Sequence, residues 1–413
     1  MPINLETPRK FQQLVDQAHM VAVEIFRKNS RKYDLAEHEY PKELDMLAAV
    51  IEGSGQGGGV GGAGAGTVGS SAGSANGAGK TKEDGNRNGS NMATLLGLTE
   101  LCWGDVGLLL TMPRQGLGQA AIAAVADEEQ LQRFGGKWAA MAITEPEAGS
   151  DSASIRTTAR WDEDEQEYVL NGEKIFVTSG DRAELIVVWA TLDPSQGRAA
   201  IKSFVVERDN PGLKLDRLEH KLGIRASDTA NFVLDDVRVP KENLLGSAEI
   251  APKGGFAGVM QTFDNTRPLV AGMAIGVARA CLDRTRELLA EAGIEIDYDR
   301  PPHAQTAAAA DFISMESDWE AARLLTLQAA WMADNRKPNS LQASMAKAKA
   351  GRTGVDIALR CVALAGAIGY GEGELLEKWA RDVKILDIFE GTQQIQLLII
   401  SRLLLGKTSG ELR

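Results

Sequence analysis

Two changes of hydrophobic period constrain this chain more than anything else in it. Side chains on a helix repeat every 3.6 residues and on a strand every 2. Up to about residue 137 the apolar spacing is helical; between 139 and 240 it runs in short β-rich stretches; from about 254 it is helical again. Phe11, Leu14, Val15, Ala18, Val21, Ala22 and Ile25 mark a first helical face, and Pro41 opens a second helix carrying Leu44, Met46, Leu47 and Val50. Helices resume at Met92, and a further helix is expected from about 116 to 134, stopped by Gly135-Gly136. Strands are expected at 155–160, 168–170, 174–178, 185–192, 201–207 and 232–239, with Asn171-Gly172 as a hairpin turn. Strands at this spacing without intervening helices indicate a small antiparallel barrel or sandwich. A face formed by Met273, Ile275, Val277, Ala278, Cys281 and Leu282, then segments 308–334, 340–364 and 374–405, indicates a helical bundle. The expected fold class is α+β multidomain: helices over 1–137, a β domain over 138–250 and a bundle over 251–413.

One stretch fits no element. Residues 53–90 are almost entirely Gly, Ala, Ser and small polar residues, too poor in apolar surface to offset the entropy of ordering them. A flexible surface loop is the expectation. Gly79-Lys80-Thr81 does not complete a phosphate loop, because Ser74 stands where its first glycine is required and no strand precedes it.

Charge and cysteine usage narrow the function classes. A net charge of −12 argues against a general nucleic-acid binder or a polybasic membrane binder. The best apolar run, 269–282, is interrupted by Arg279, so no membrane span is expected. Cys102, Cys281 and Cys361 are far apart and set in apolar helical sequence, as free thiols in a reducing compartment would be. With no apolar segment at the N-terminus, the expected location is cytoplasmic. His19, His38, His220 and His303 show no metal-ligand spacing, so no metal site is expected.

Four strings carry possible chemistry. Phe389-Glu390-Gly391-Thr392 sets one carboxylate between two apolar helical runs, where poor solvation would make its anion a stronger base. Locally, a helix–helix corner with a solvated Glu is the plainer reading. Residues 142–151 offer the hydroxyls of Thr144 and Ser150 and a glycine, Gly149, that lets backbone N–H groups approach a carbonyl-rich ring or a phosphate. A Pro/Gly turn would explain only part of that string. In residues 171–180, alternation places Phe176 and Thr178 on one strand face, able to stack on and hydrogen-bond a planar heterocycle. One core residue and one satisfied hydroxyl is the plainer reading of that pair. Residues 263–268 place Asp264 and Arg267 at the start of an apolar helix, which a capping ion pair would also explain.

Taken together, and with the strings at 224–229 and 235–240, the sequence resembles the acyl-CoA dehydrogenase family over roughly 138–405, more loosely before the glycine-rich stretch. The resemblance implies an N-terminal helical domain, a middle β domain and a C-terminal four-helix bundle. It implies FAD as cofactor, an acyl-CoA substrate, α,β-desaturation, and electrons leaving to an electron-transferring flavoprotein. Glu390 matches the family's base, and its backbone N–H the donor to the thioester oxygen. Thr144 matches the residue at the flavin ring edge, Ser150 one near the pyrophosphate and substrate, and Phe176 an aromatic packed on the flavin. Thr178 matches the hydroxyl on the N5 side, and Thr392 and Gln394 match FAD contacts after the base. Asp264 and Arg267 match the CoA side, with Gly391 beside the substrate. Some branches carry the base just before this arginine; here that residue is Thr266.

The chain departs from the family where subunits reach a neighbour's FAD. The Arg-x-x-Phe-Gly motif is missing from 292–297, and Ala363 stands where the glutamine of Gln-x-x-Gly-Gly is expected. Active homo-oligomer and base-bearing subunit of a heterotetramer with a related chain are therefore both open. So are a non-catalytic subunit and an oxygen-using acyl-CoA or nitroalkane oxidase.

Overall fold

The computed structural model describes residues 7–53, 88–113, 117–250, 257–408 and 411, with the side chains of 49–53 and 257–265 outside that description. Most of the glycine-rich stretch and Gly116 fall outside it.

The N-terminal region is helical: α1 (Gln12–Val21), a π-helical segment (Ala22–Arg27), α2 (Lys28–Leu35), α3 (Lys42–Gly53), α4 (Ser90–Gly104), α5 (Val106–Thr111), α6 (Gly118–Val125) and α7 (Glu128–Phe134). The single helix expected to end at 134 is two. Asp127 breaks it by capping α7: its side chain accepts from the Gln130 N–H while the Gln130 side chain accepts from the Asp127 N–H.

The middle region is one sheet of β1 (Ala139–Ala142), β2 (Thr158–Asp162), β3 (Glu167–Thr178), β4 (Leu185–Thr191), β5 (Ile201–Glu207), β6 (Leu213–Leu218), β7 (Thr229–Pro240) and β8 (Leu244–Leu245). Its order is β6-β7-β3-β2-β4-β5-β8, with β1 beside β4. The sheet is mixed rather than wholly antiparallel, because β1 and the start of β2 run parallel to β4. Both halves contribute to one core, where Tyr168, Leu170 and Phe232 meet Ile186, Val188 and Phe204.

Asn171-Gly172 is not a hairpin turn. β3 continues through it, because residues on both sides pair with β7 and the first half also pairs with β2. Gly172 sits at a register shift, packed so closely on Thr157 that no side chain fits. β6 was not expected from the sequence; its exposed middle, Lys214 to Arg217, hides the alternation.

The C-terminal region holds α8 (Ala257–Glu291), α9 (Ala307–Asp334), α10 (Ser340–Tyr370), α11 (Leu376–Val383) and α12 (Gln393–Leu405). α8 begins before residue 264, so Arg267 lies inside the helix rather than opening it. α10 is long and apolar enough to cross a membrane by length and composition. Here it is a bundle helix, with Ala346, Ala350, Ile357 and Cys361 in a core shared with α4 and α8. The fourth bundle arm is not continuous: α11 passes into a short 3-10 turn, Lys384–Asp387, and the helix restarts only at Gln393. All three cysteines are buried free thiols.

Candidate active site

The interruption of the last bundle arm places Glu390. Its φ is 56° and that of Gly391 is 94°, two successive residues in the left-handed region. For a non-glycine residue this conformation costs on the order of 1–3 kcal/mol, and it persists where the surroundings over-determine it. Three hydrogen bonds from buried side chains do so. Gln396 Nε2 donates to the Glu390 carbonyl (3.2 Å) and the Gly391 carbonyl (3.1 Å), and Lys347 Nζ donates to the Gly391 carbonyl at 2.7 Å. Both residues are fully buried. Thr392 then caps α12, its hydroxyl accepting from the Ile395 N–H at 3.3 Å. Gly351 in α10 lets that helix close on Leu386 and Asp387.

The Glu390 side chain meets α8. Thr266 Oγ1 donates to Glu390 Oε2 at 2.5 Å. Burial pushes the Glu390 carboxyl above the usual carboxylate range, against the opposing effects of the Thr266 hydrogen bond and of the Arg267 and Lys347 charges. Lys347 itself is lowered to about 8, by burial first and by the Arg267 charge, with Asp387 and Glu390 holding it up. The result is a desolvated carboxylate of raised basicity, held by backbone bonds and faced by a hydroxyl.

The β-sheet residues form a second group. Glu145 anchors their loop: buried, it accepts from the N–H groups of Arg156 (2.6 Å) and Thr157 (3.0 Å), the Thr157 hydroxyl (2.6 Å) and Lys174 Nζ (2.6 Å). Thr144, half-buried, accepts from the Ile175 N–H at 2.9 Å through its carbonyl, tying the loop to β3. Gly149 and Ser150 stand exposed on the loop. A bulge between Lys174 and Val177 gives Phe176 a φ of 58° and leaves the residue 58% exposed, while its N–H donates to Asn231 Oδ1 at 3.3 Å. Thr178 pairs with Thr229 and is half-buried.

Glu390, Gly391, Thr392 and Arg267 are thus gathered at the break in the last arm, and Thr144, Phe176 and Thr178 about the C-terminal end of β3. Gln394 is exposed, and the residue that turns inward on that helix is Gln396. The Asp264 side chain lies outside the described residues. Lys347 and Gln396 were missed in the sequence. A lysine among Ala343, Ala346, Ala350 and Gly351 was the available signal, since small neighbours on one face mark close helix packing rather than a solvated side.

Residues 140–237 match the family model described as "Acyl-CoA dehydrogenase, middle domain", and residues 253–405 that described as "Acyl-CoA dehydrogenase, C-terminal domain". An acyl-CoA dehydrogenase of Bacillus subtilis (strain 168) is 35% identical over 73% of this chain and 79% of its own length. The chain belongs to the acyl-CoA dehydrogenase family. Its fold agrees throughout: butyryl-CoA dehydrogenase from Megasphaera elsdenii superposes with a TM-score of 0.79 at 29% identity, covering 98% of this chain and 100% of that one. A chain from the structural work on the electron transferring flavoprotein of Acidaminococcus fermentans superposes with a TM-score of 0.77 at 29% identity, over 98% and 100%.

The family is one of FAD-dependent oxidoreductases, and the residues here fit that cofactor. Phe176 presents an aromatic ring to the outside from a strained backbone. Close to it, just past the end of β3, just before β7 and on β7, Ser179 Oγ, Asp228 Oδ1 and Asn231 Nδ2 are buried without a hydrogen-bond partner among the described residues. An open aromatic face beside unmatched donors and acceptors suits a flat, polar-edged ring.

Proposed function

We propose that this chain is an acyl-CoA dehydrogenase in which Glu390 removes the α-proton of an acyl-CoA thioester while a hydride leaves the β-carbon. The observation that carries the reading is the Glu390 carboxyl itself: its basicity is raised by burial, and its backbone is pinned by Gln396 and Lys347. An α-proton of a thioester is weakly acidic, so the base must be strong and the developing enolate stabilised. Glu390 carries the proton away on its carboxylate, and its backbone N–H is the proposed donor to the thioester oxygen. Arg267, buried next to it, and Asp264 serve the CoA side, with Gly391 leaving room beside the substrate. Thr144, Ser150, Phe176, Thr178, Thr392 and Gln394 are the proposed contacts to FAD. Bound FAD supplies the acceptor for the hydride. The likeness to the Acidaminococcus chain supports an electron-transferring flavoprotein as the electron acceptor, and the buried thiols suit a cytosolic location.

A second reading concerns assembly. Ala363 in place of glutamine, in a stretch of α10 that ends with Ile368 and Tyr370 exposed, favours a heterotetramer in which a related subunit completes the FAD site. Leu397, Leu398, Leu403, Leu404 and Leu405 are also exposed on α12, as an oligomer interface would leave them in a single chain. Flavin content separates the two readings. A homo-oligomer purifies yellow and is bleached by acyl-CoA under anaerobic conditions. A heteromeric subunit is colourless until it is co-expressed with its related chain. No flavin under either condition, even with added FAD, contradicts both.

A further inference from the structure

The two histidines that the sequence leaves unconnected meet beside the junction of the helices and the sheet. Just after α2, His38 takes a φ of 71°. Both of its ring nitrogens are closed off from solvent, and neither has a hydrogen-bond partner among the described residues. His220, from the loop after β6, faces it with ring centroids 5.0 Å apart. Glu37 completes the group: its Oε2 is 2.8 Å from His220 Nδ1, and its Oε1 accepts from the Lys221 N–H at 3.0 Å. One ligand atom from each of Glu37, His38 and His220 lies within 4.8 Å of the others.

Two imidazoles and a carboxylate are the donor set of a zinc-class cation, with water in the fourth tetrahedral position. Ligand atoms around zinc stand about 3.3 Å apart, given bonds of about 2.0 Å, so the group must contract. The His220 side chain is 82% exposed and free to swing inward. The Lys221 N–H on Glu37 Oε1 orients the carboxylate from outside the ligand sphere, as second partners of metal ligands do. Burial keeps the His38 imidazole below its usual range, with the Lys221 and His220 charges acting the same way and Glu37 opposing them. The neutral ring is the form that ligates. An imidazole whose two ring nitrogens are closed off without a partner among the described residues is a group that a cation would satisfy.

We propose that Glu37, His38 and His220 bind one divalent zinc-class cation, which clamps the turn after α2 to the loop after β6. The site is separate from Glu390 and would act on domain docking rather than on the reaction. Leu222 and Ile224 in the same loop already contact Arg381 and Asp382 of α11.

The test is titration of the full-length protein, stripped with chelator, with Zn2+ by calorimetry, and with Co2+ by its visible absorption. One equivalent should bind, giving a tetrahedral Co2+ spectrum and a raised unfolding temperature. His38→Ala and His220→Gln should each weaken binding roughly 100-fold or more. His19→Ala, whose imidazole bonds Glu100 instead, should bind as the parent does. His220→Gln changes an exposed side chain, so it decides the matter if His38→Ala does not fold. Absence of stoichiometric binding, or binding undiminished by His220→Gln, would overturn the proposal.

Discussion

At the scale of single residues, the proposed chemistry rests on what surrounds one carboxylate. Burial raises Glu390, and a base must be deprotonated to act. Activity should therefore fall as pH drops through a value above the ordinary carboxylate range, visible as the acid limb of kcat/KM. Thr266→Val removes a hydrogen bond that favours the charged form. That limb should then move upward by roughly 1 to 2 pH units, since a hydrogen bond to a charged group is worth about 1.5–3 kcal/mol. An unmoved or lowered limb would show that Thr266 does not act on the base. Glu390 was legible because a lone acid between an aromatic and a glycine interrupts two apolar runs. Lys347 and Gln396 were not: each sits in a helical run where a polar side chain reads as solvated, and only the packed bundle shows both pointing at the Gly391 carbonyl.

At the scale of elements, the break between α11 and α12 is what aims Glu390, the proposed base. Gly391 carries the second left-handed residue, and an added Cβ would collide with the Gln396 amide. Gly391→Ala should cost about 1–3 kcal/mol of stability in urea unfolding and lower kcat, because the colliding amide also holds the Glu390 carbonyl. Gly149→Ala, whose Cβ would meet nothing nearer than Thr144 Cγ2 at 3.9 Å, should leave stability unchanged. Equal losses in both variants would contradict the role given to the break. The order helix–sheet–helix was readable because periodicity is local. The course of β3 was not: Asn-Gly signals a turn only when its two flanks pair with each other, and here both flanks pair with β7 across a bulge.

At the scale of the molecule, one buried cluster joins the three regions. Lys378 Nζ donates to Asp105 Oδ2 and Asp382 Oδ2, each at 2.5 Å. Ser30 donates to the same Asp105 oxygen, and the Ile224 N–H reaches Asp382 Oδ1 at 2.6 Å. Asp105 also caps α5 through the Leu108 N–H at 2.8 Å. Removing the cation would leave two carboxylates buried together, so Lys378→Met should destabilise the protein by about 3–5 kcal/mol. It should also loosen the sheet from α11, read as faster amide exchange around Ile224. A change below about 1 kcal/mol would place the docking energy elsewhere. Nothing in sequence spacing announces this cluster, because its members come from distant elements and are individually ordinary. Periodicity and the resemblance to a family conveyed the overall architecture, while the ion-paired junction exists only where the three regions meet in the fold.

The most direct measurement is anaerobic stopped-flow reduction of FAD-replete protein by acyl-CoA, comparing the parent with Glu390→Gln. The amide keeps the shape and cannot take a proton. If Glu390 is the base, the parent bleaches and the variant retains FAD but bleaches slower by roughly 10²–10⁴-fold or more. A variant that holds FAD and bleaches at the parent's rate would contradict the assignment of Glu390.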